Sequence, residues 1–204
     1  MAMLICLDSH TEPINLYWKK LQLEKKPYTA PFQIGTRAAP LKRITLPEAL
    51  PEEFGVGVSF KPLHTDEVDH LQGLISLERD PSEGSNRIFI FIASSLNRIR
   101  TEVIVNGTFY GQNADNVLQA GKITGLYFHK TASDYTGYIK KHDGEIVSYN
   151  RSAPLLTGLK NICLGNQSSG LYPSNAVFAD FVLHDRPEDI DPEGYLSAIP
   201  GGGE

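Results

Sequence analysis

Residues 136–149 read Thr-Gly-Tyr-Ile-Lys-Lys-His-Asp-Gly-Glu-Ile-Val-Ser-Tyr. Two runs of alternating apolar and polar residues flank His142-Asp143-Gly144, whose Asp-Gly pair suits a tight reversal. That pattern predicts a β-hairpin, because side chains on a strand point to opposite faces with a period of two. Asn106-Gly107 gives a second hairpin signal of the same kind.

Outward from this hairpin the texture repeats: short apolar runs bounded by turn residues. Strands are predicted at about Gly55–Phe60, Gly73–Glu78, Arg87–Ala93, Arg100–Val105, Ile123–Lys130, Thr136–Lys140, Glu145–Tyr149, Asn161–Leu164 and Ala176–His184. No amphipathic helix falls between them, so the expected class is all-β, an antiparallel sandwich and not a parallel α/β sheet. One short helix is expected within Pro187–Ile199, ahead of the glycine-rich end.

The first 50 residues differ. Ser9 and Glu12 have capping-box spacing, and Ile14, Tyr17, Trp18 and Leu21 recur at helical intervals until Pro27. Prolines at 27, 31, 40, 47 and 51 then exclude a central strand, although Ile44–Leu46 could pair at a sheet edge. The expected organisation is an N-terminal helix with an extended, proline-rich docking arm (residues 1–50), followed by a sandwich with a short acidic tail (residues 51–204).

The 204 residues carry 19 Lys/Arg and 24 Asp/Glu, a net charge of −5. An acidic chain lacks the cation surplus that phosphate backbones and anionic lipids demand, so neither nucleic acid nor membrane is expected as a partner. The longest apolar run, Ile88–Ala93, is far shorter than the ~20 residues of a membrane span. The start, Met-Ala-Met-Leu-Ile-Cys-Leu-Asp, reads as no secretory signal, and synthesis in a cytoplasm is expected. Cys6 and Cys163 each sit in an apolar run and read as buried free thiols.

Taken in order, the strands resemble the concanavalin A-like lectin/glucanase superfamily, in particular its laminin-G-like jelly rolls, over about residues 50–190. The resemblance is carried by Gly55–Pro62, Gly73–Leu77, Gly121-Lys122 before Ile123–Phe128, the hairpin Tyr138–Glu145, and the closing pair Ile162–Gly165 and Phe178–Arg186. Ile123-Thr124 stands where Trp-His is common in that family, and residues 1–49 have no counterpart in it. The resemblance implies a jelly-roll β-sandwich and a lectin-like role.

Endoglucanases of that superfamily carry Glu-x-Asp-x-x-Glu on a strand. Glu67-Val-Asp69-His-Leu-Gln72 comes near it, but an amide at Gln72 cannot serve as acid and base, so no catalytic residue is expected. His64 and His70 with Asp66, Glu67 and Asp69 are the densest ligand-like cluster. It lacks zinc-enzyme spacing, so no cofactor and no metal is expected beyond a weak Ca2+ site.

Sugar recognition by such sandwiches needs an aromatic ring to stack on and amides or carboxylates to fix hydroxyls. Asn166, Gln167, Tyr172 and Asn175 in one loop supply that inventory, and Asp134 with Tyr135 and Tyr110 with Gln112 and Asn113 supply smaller versions. Charge adds a second lead: residues 1–50 hold seven Lys/Arg and four Asp/Glu, whereas residues 180–204 hold one Arg and seven Asp/Glu. Opposite ends of opposite sign are complementary to each other, either within a subunit or between neighbours. Trp18, Tyr28, Phe32, Arg37, Lys42 and Arg43 are the candidate docking residues. The combined expectation is a non-enzymatic virion protein, a phage capsid decoration or tail-associated component, with a free carbohydrate-binding lectin module as the alternative and a glycoside hydrolase or lyase as the third reading. It would dock to other virion proteins or to itself as a homo-oligomer, and its lectin-like face would be offered to a cell-surface or host glycan.

Overall fold

The computed structural model describes residues 42–63, 65, 71–80, 84–93, 96–165, 172, 174 and 176–200. Among them eleven strands follow in order: β1 (Lys42–Thr45), β2 (Phe54–Pro62), β3 (Gln72–Glu78), β4 (Arg87–Ala93), β5 (Arg98–Val105), β6 (Thr108–Ala114), β7 (Thr124–Lys130), β8 (Asp134–Lys140), β9 (Ile146–Ser152), β10 (Asn161–Leu164) and β11 (Ala176–His184). A single 3-10 turn, Pro187–Asp189, precedes helix α1 (Pro192–Ala198).

The strands form two antiparallel sheets, a β-sandwich of jelly-roll type. One sheet has six strands in the order β1-β10-β3-β4-β5-β6, and the other five in the order β11-β2-β7-β8-β9. Alternation decides which residues face inward. Phe54, Val56, Val58 and Phe60 of β2, with Leu126 and Phe128 of β7, meet Ile75 and Leu77 of β3, Ile88, Ile90 and Ile92 of β4 and Ile99 and Val103 of β5 in one buried core. Each such side chain contributes on the order of 1.5–3 kcal/mol on burial, which makes this layer the main source of stability.

The two predicted reversals form. Asn106 and Gly107 both take left-handed backbone, φ 50° and 79°, as a two-residue hairpin turn requires. At the second, Lys141 donates its N–H to the Glu145 carbonyl at 2.8 Å and Gly144 stands at φ 92°.

The outer face of the five-stranded sheet is also covered. Leu196 and Ile199 from α1 and its C-cap pack on Tyr127, with Val182 and Tyr195 alongside, in a second, smaller cluster. Glycines make this close approach feasible: a Cβ at Gly57 would lie 2.6 Å from the Tyr195 ring, and one at Gly125 2.5 Å from Ile199. Asp191 caps α1 by accepting the Gly194 N–H at 2.9 Å.

Three expectations change. Thr108–Ala114, where no strand was predicted after the Asn106-Gly107 reversal, is a seven-residue edge strand paired with β5 along its whole length. Lys42 and Arg43, assigned to a docking arm, belong to β1, which pairs with β10 in the register Lys42–Leu164 and Arg43–Cys163. The sandwich therefore starts before residue 51, because the edge of β10 offers backbone partners that a four-residue strand between prolines can still use. Asn150, one residue beyond the predicted strand Glu145–Tyr149, lies in β9 and donates to Thr136 Oγ1 at 2.9 Å. The helix expected after Ser9, and with it Trp18, Tyr28, Phe32 and Arg37, lies outside the described residues, as does Cys6. Cys163 is a free, buried thiol, and burial raises its pKa against a lowering hydrogen bond from Arg43.

Candidate functional site

The free edges of the two sheets, β6 and β9, run along the same side of the sandwich and are drawn together there. Arg151 of β9 donates to the Gly111 carbonyl of β6, and two tyrosines cross the core. Tyr149 shares a 2.6 Å hydrogen bond with Thr101 Oγ1, and Tyr135 donates to the Tyr110 carbonyl at 3.0 Å. The Tyr149 ring lies over Gly137, where a side chain would displace it.

Where β6 ends and the β8–β9 hairpin begins, the edges part and leave a cleft of about 310 Å³. Its floor is apolar: Val117 and Tyr149 are buried, and Ala114 and Val147 are half-buried. Its rim is polar: Asn113, Asp115, Asn116 and Ser148 are exposed, and Lys141 is half-buried. An apolar floor with a few polar groups converging on it is the make-up of a small-ligand site, and the volume lies near the low end of the ~300–1,000 Å³ such sites span.

The rim is held in place. Asn116 sits at φ 56° and donates its N–H to the Leu96 carbonyl at 2.8 Å, and Val117 N–H donates to the Asn97 carbonyl at 3.1 Å. Leu96 and Asn97 are themselves left-handed, at φ 64° and 47°. For a leucine that conformation costs free energy, and the backbone bonds from the β6 exit help to hold it. Arg98 grips Asp115 bidentately, through Nε to Oδ1 and through Nη2 to Oδ2 at 3.2 Å, and this partner raises the arginine pKa. Lys141 is drawn toward Glu145 and, at 3.5 Å, Asp143, and the Glu145 bond raises its pKa. The Asp143 carboxyl is lowered, first by the Glu145 N–H that it accepts at 3.1 Å.

The residues named from sequence are dispersed. Tyr135 is corrected: it is fully buried, its ring 5.5 Å from Phe128, and cannot stack on a sugar. The reason is the pleat, which turns 135, 137 and 139 inward together. Asp134 serves the β7–β8 turn, taking the Thr131 hydroxyl oxygen with its N–H at 3.1 Å. Tyr172 is half-buried with its ring 5.8 Å from Phe89, and its carbonyl accepts the Gly73 N–H at 2.9 Å. Asn166, Gln167 and Asn175 lie outside the described residues.

Asn113, from the smaller set with Tyr110 and Gln112, is the one sequence candidate on the cleft rim. Asp115, Asn116 and Ser148 were missed. The run Asn113-Ala-Asp115-Asn116 after a β-prone stretch was the available signal, but pairing it with Ser148 needed the meeting of two edges that sequence order does not give. A second aromatic group, Phe89 and Phe91 stacked at 4.7 Å on the outer side of β4, is 2% and 3% exposed and so offers no open platform.

Among the described residues, no group of three His, Cys, Asp or Glu is placed to hold a metal. His64 and His70, with Asp66, Glu67 and Asp69, lie outside them. Gln72 is buried in β3.

The fold is thus a jelly-roll β-sandwich, the architecture found in lectins and carbohydrate-binding modules. No protein-family model matches the sequence, and no curated protein matches it. Among solved structures, the CBM40 of the Ruminococcus gnavus IT-sialidase, bound to α2,3-sialyllactose, aligns over 73% of this chain and 82% of its own, with TM-score 0.51 and 15% identity. The enzymatically active domain of bacteriophage CBA120 tailspike protein 2 aligns over 76% of this chain but 25% of its own, with TM-score 0.56 and 14% identity. The leech intramolecular trans-sialidase, complexed with 2,7-anhydro-Neu5Ac, aligns over 76% and 26%, with TM-score 0.54 and 15% identity. At these identities the likeness is one of fold.

Proposed function

We propose that this protein is a non-enzymatic, lectin-like glycan-binding sandwich that serves as a virion component. The observation that carries the first part is the β6–β9 cleft. Its exposed amides, hydroxyl and carboxylate stand around a buried apolar floor, the pairing a sugar ring needs, since it presents C–H faces and hydroxyl edges together. The sandwich it shares with a carbohydrate-binding module supports the same reading.

Binding without hydrolysis is supported by the rim chemistry. A retaining or inverting glycosidase needs two facing carboxyl groups, one of them free to give up a proton. The described lining supplies Asp115, and both oxygens of that carboxylate are taken up by the Arg98 guanidinium.

The virion role is the finer proposal. It is supported by the sandwich shared with a phage tailspike domain, by the opposite charges of residues 1–50 and 180–204, and by Arg43 on β1, the end strand of the six-stranded sheet among the described residues. Glycan-array screening of the full chain tests the first part. A defined set of bound glycans, weakened about tenfold by Asn113→Ala with Ser148→Ala, is expected from the loss of two hydrogen bonds. Light scattering and co-sedimentation with particles test the second. A monomer that binds no capsid or tail protein would remove it.

A further inference from the structure

The floor of the β6–β9 cleft narrows the kind of sugar it can take. Ala114 stands opposite Ile99 and Val147 opposite Ile139, both core residues, so the two side chains point inward between the sheets, and buried Val117 completes the floor. Tyr149, the aromatic residue of the described lining, is buried with its hydroxyl shared with Thr101 Oγ1 at 2.6 Å. The described floor therefore offers small aliphatic groups and no open ring face, a surface that suits a methyl group better than the flat side of a pyranose.

The charges around the rim are matched by one another. Arg98 takes up both oxygens of Asp115, and the Lys141 ammonium is drawn to Glu145 and, at 3.5 Å, to Asp143. These two cations face three carboxylates, so an anionic sugar finds no unmatched positive partner among them. The neutral groups are the ones left to meet a ligand: Asn113, Asn116 and Ser148 are exposed on the rim. β6 and β9 are end strands of their sheets among the described residues, and end strands present main-chain N–H and C=O groups along their outer sides.

An acetamido group is a peptide unit ending in a methyl. Its N–H and C=O suit a strand edge and side-chain amides, and its methyl suits an aliphatic floor. We propose that the β6–β9 cleft takes a neutral 2-acetamido sugar, with the acetyl methyl on Ala114, Val117 and Val147 and the amide against the rim and the strand edges. The cleft of about 310 Å³ suits one such residue. The proposal deepens the glycan-binding reading and rests on it.

The test is calorimetric titration of the full chain with N-acetylglucosamine and N-acetylgalactosamine, each beside its 2-hydroxy counterpart, glucose or galactose. At least one acetamido sugar is expected to bind about tenfold tighter than its counterpart, from one buried methyl and one added hydrogen bond, with no weakening as salt is raised. Ala114→Val fills the place of the acetyl methyl and is expected to erase that preference. Val147→Thr puts a hydroxyl into the half-buried floor at similar volume and should reduce the preference even if the first variant folds poorly. Equal affinity within both sugar pairs, or a preference unchanged in both variants, would overturn the assignment. Tighter, salt-weakened binding of N-acetylneuraminic acid, which carries an acetamido group and a carboxylate together, would overturn its neutral character. Retention on an array of glycans that all lack 2-acetamido residues would overturn the inference and leave the glycan-binding reading standing. Failure of that reading looks different: no glycan of any kind is retained.

Discussion

Four tyrosines with raised pKa values hold much of the interior together. Burial pushes Tyr127 and Tyr149 up to about 12 from 10.0, and it raises Tyr135 and Tyr195 as well. In the unfolded chain these phenols ionise near 10, so their stabilising effect is complete below that pH and drains away between about 10 and about 12. Lys130, fully buried with its ammonium on the Thr131 and Ala153 carbonyls, acts in the opposite sense. Its pKa is lowered by burial, so the cost of its charge is relieved as pH rises. Four phenols against one amine set the sign: denaturant unfolding between about pH 8 and about pH 11 should show a stability loss on the order of 1–3 kcal/mol. The share of tyrosinate absorbance that belongs to these four should appear with unfolding and not before it. Tyr149→Phe leaves Thr101 Oγ1 buried without its 2.6 Å partner and should cost about 1–2 kcal/mol in the same assay.

Elements were legible in proportion to how closely their sequence followed one period. β4, β5, β8 and β10 lie where alternation or apolar runs placed them, because one or both faces of each are buried; β11 was placed by its apolar run, although none of its residues is fully buried and a bulge between Phe178 and Asp180 breaks its period. β6 was hidden because Gly111, Gln112, Asn113 and Ala114 have little strand propensity, and it is pairing with β5 that makes them extended. β1 was read only in part, as an edge pairing at Ile44–Leu46, because Pro40 and Pro47 flank it. The helix that seals the second cluster was expected, but the glycines that admit it were not separable from turn glycines by sequence. Gly57→Ala tests that packing: the new methyl meets the Tyr195 ring, and a loss of about 1–3 kcal/mol is expected in thermal or denaturant melts. Gly84→Ala, a left-handed position with no described atom within 4 Å of its Cβ, separates that clash from backbone strain alone, which should cost less.

At the scale of the molecule, the lectin-like sandwich was readable from strand order and hairpin chemistry, whereas the site was not. Asn113 and Ser148 are 35 positions apart in sequence. They meet because β6 and β9, edges of different sheets, are drawn together by Arg151 and the core tyrosines. Tyr135 shows the converse: its residue type suggested a sugar platform, and the pleat turned it into the core. If the β1 edge docks in the proposed assembly, particle co-sedimentation of Arg43→Glu should show weakened retention beside the unaltered chain. The most direct measurement of the central claim is a glycan array on the full chain beside its Asn113→Ala/Ser148→Ala variant. Retention of a defined glycan set that falls about tenfold in the variant is the expected result. No retention by the full chain, or equal retention by both proteins, would contradict a sugar site in the β6–β9 cleft.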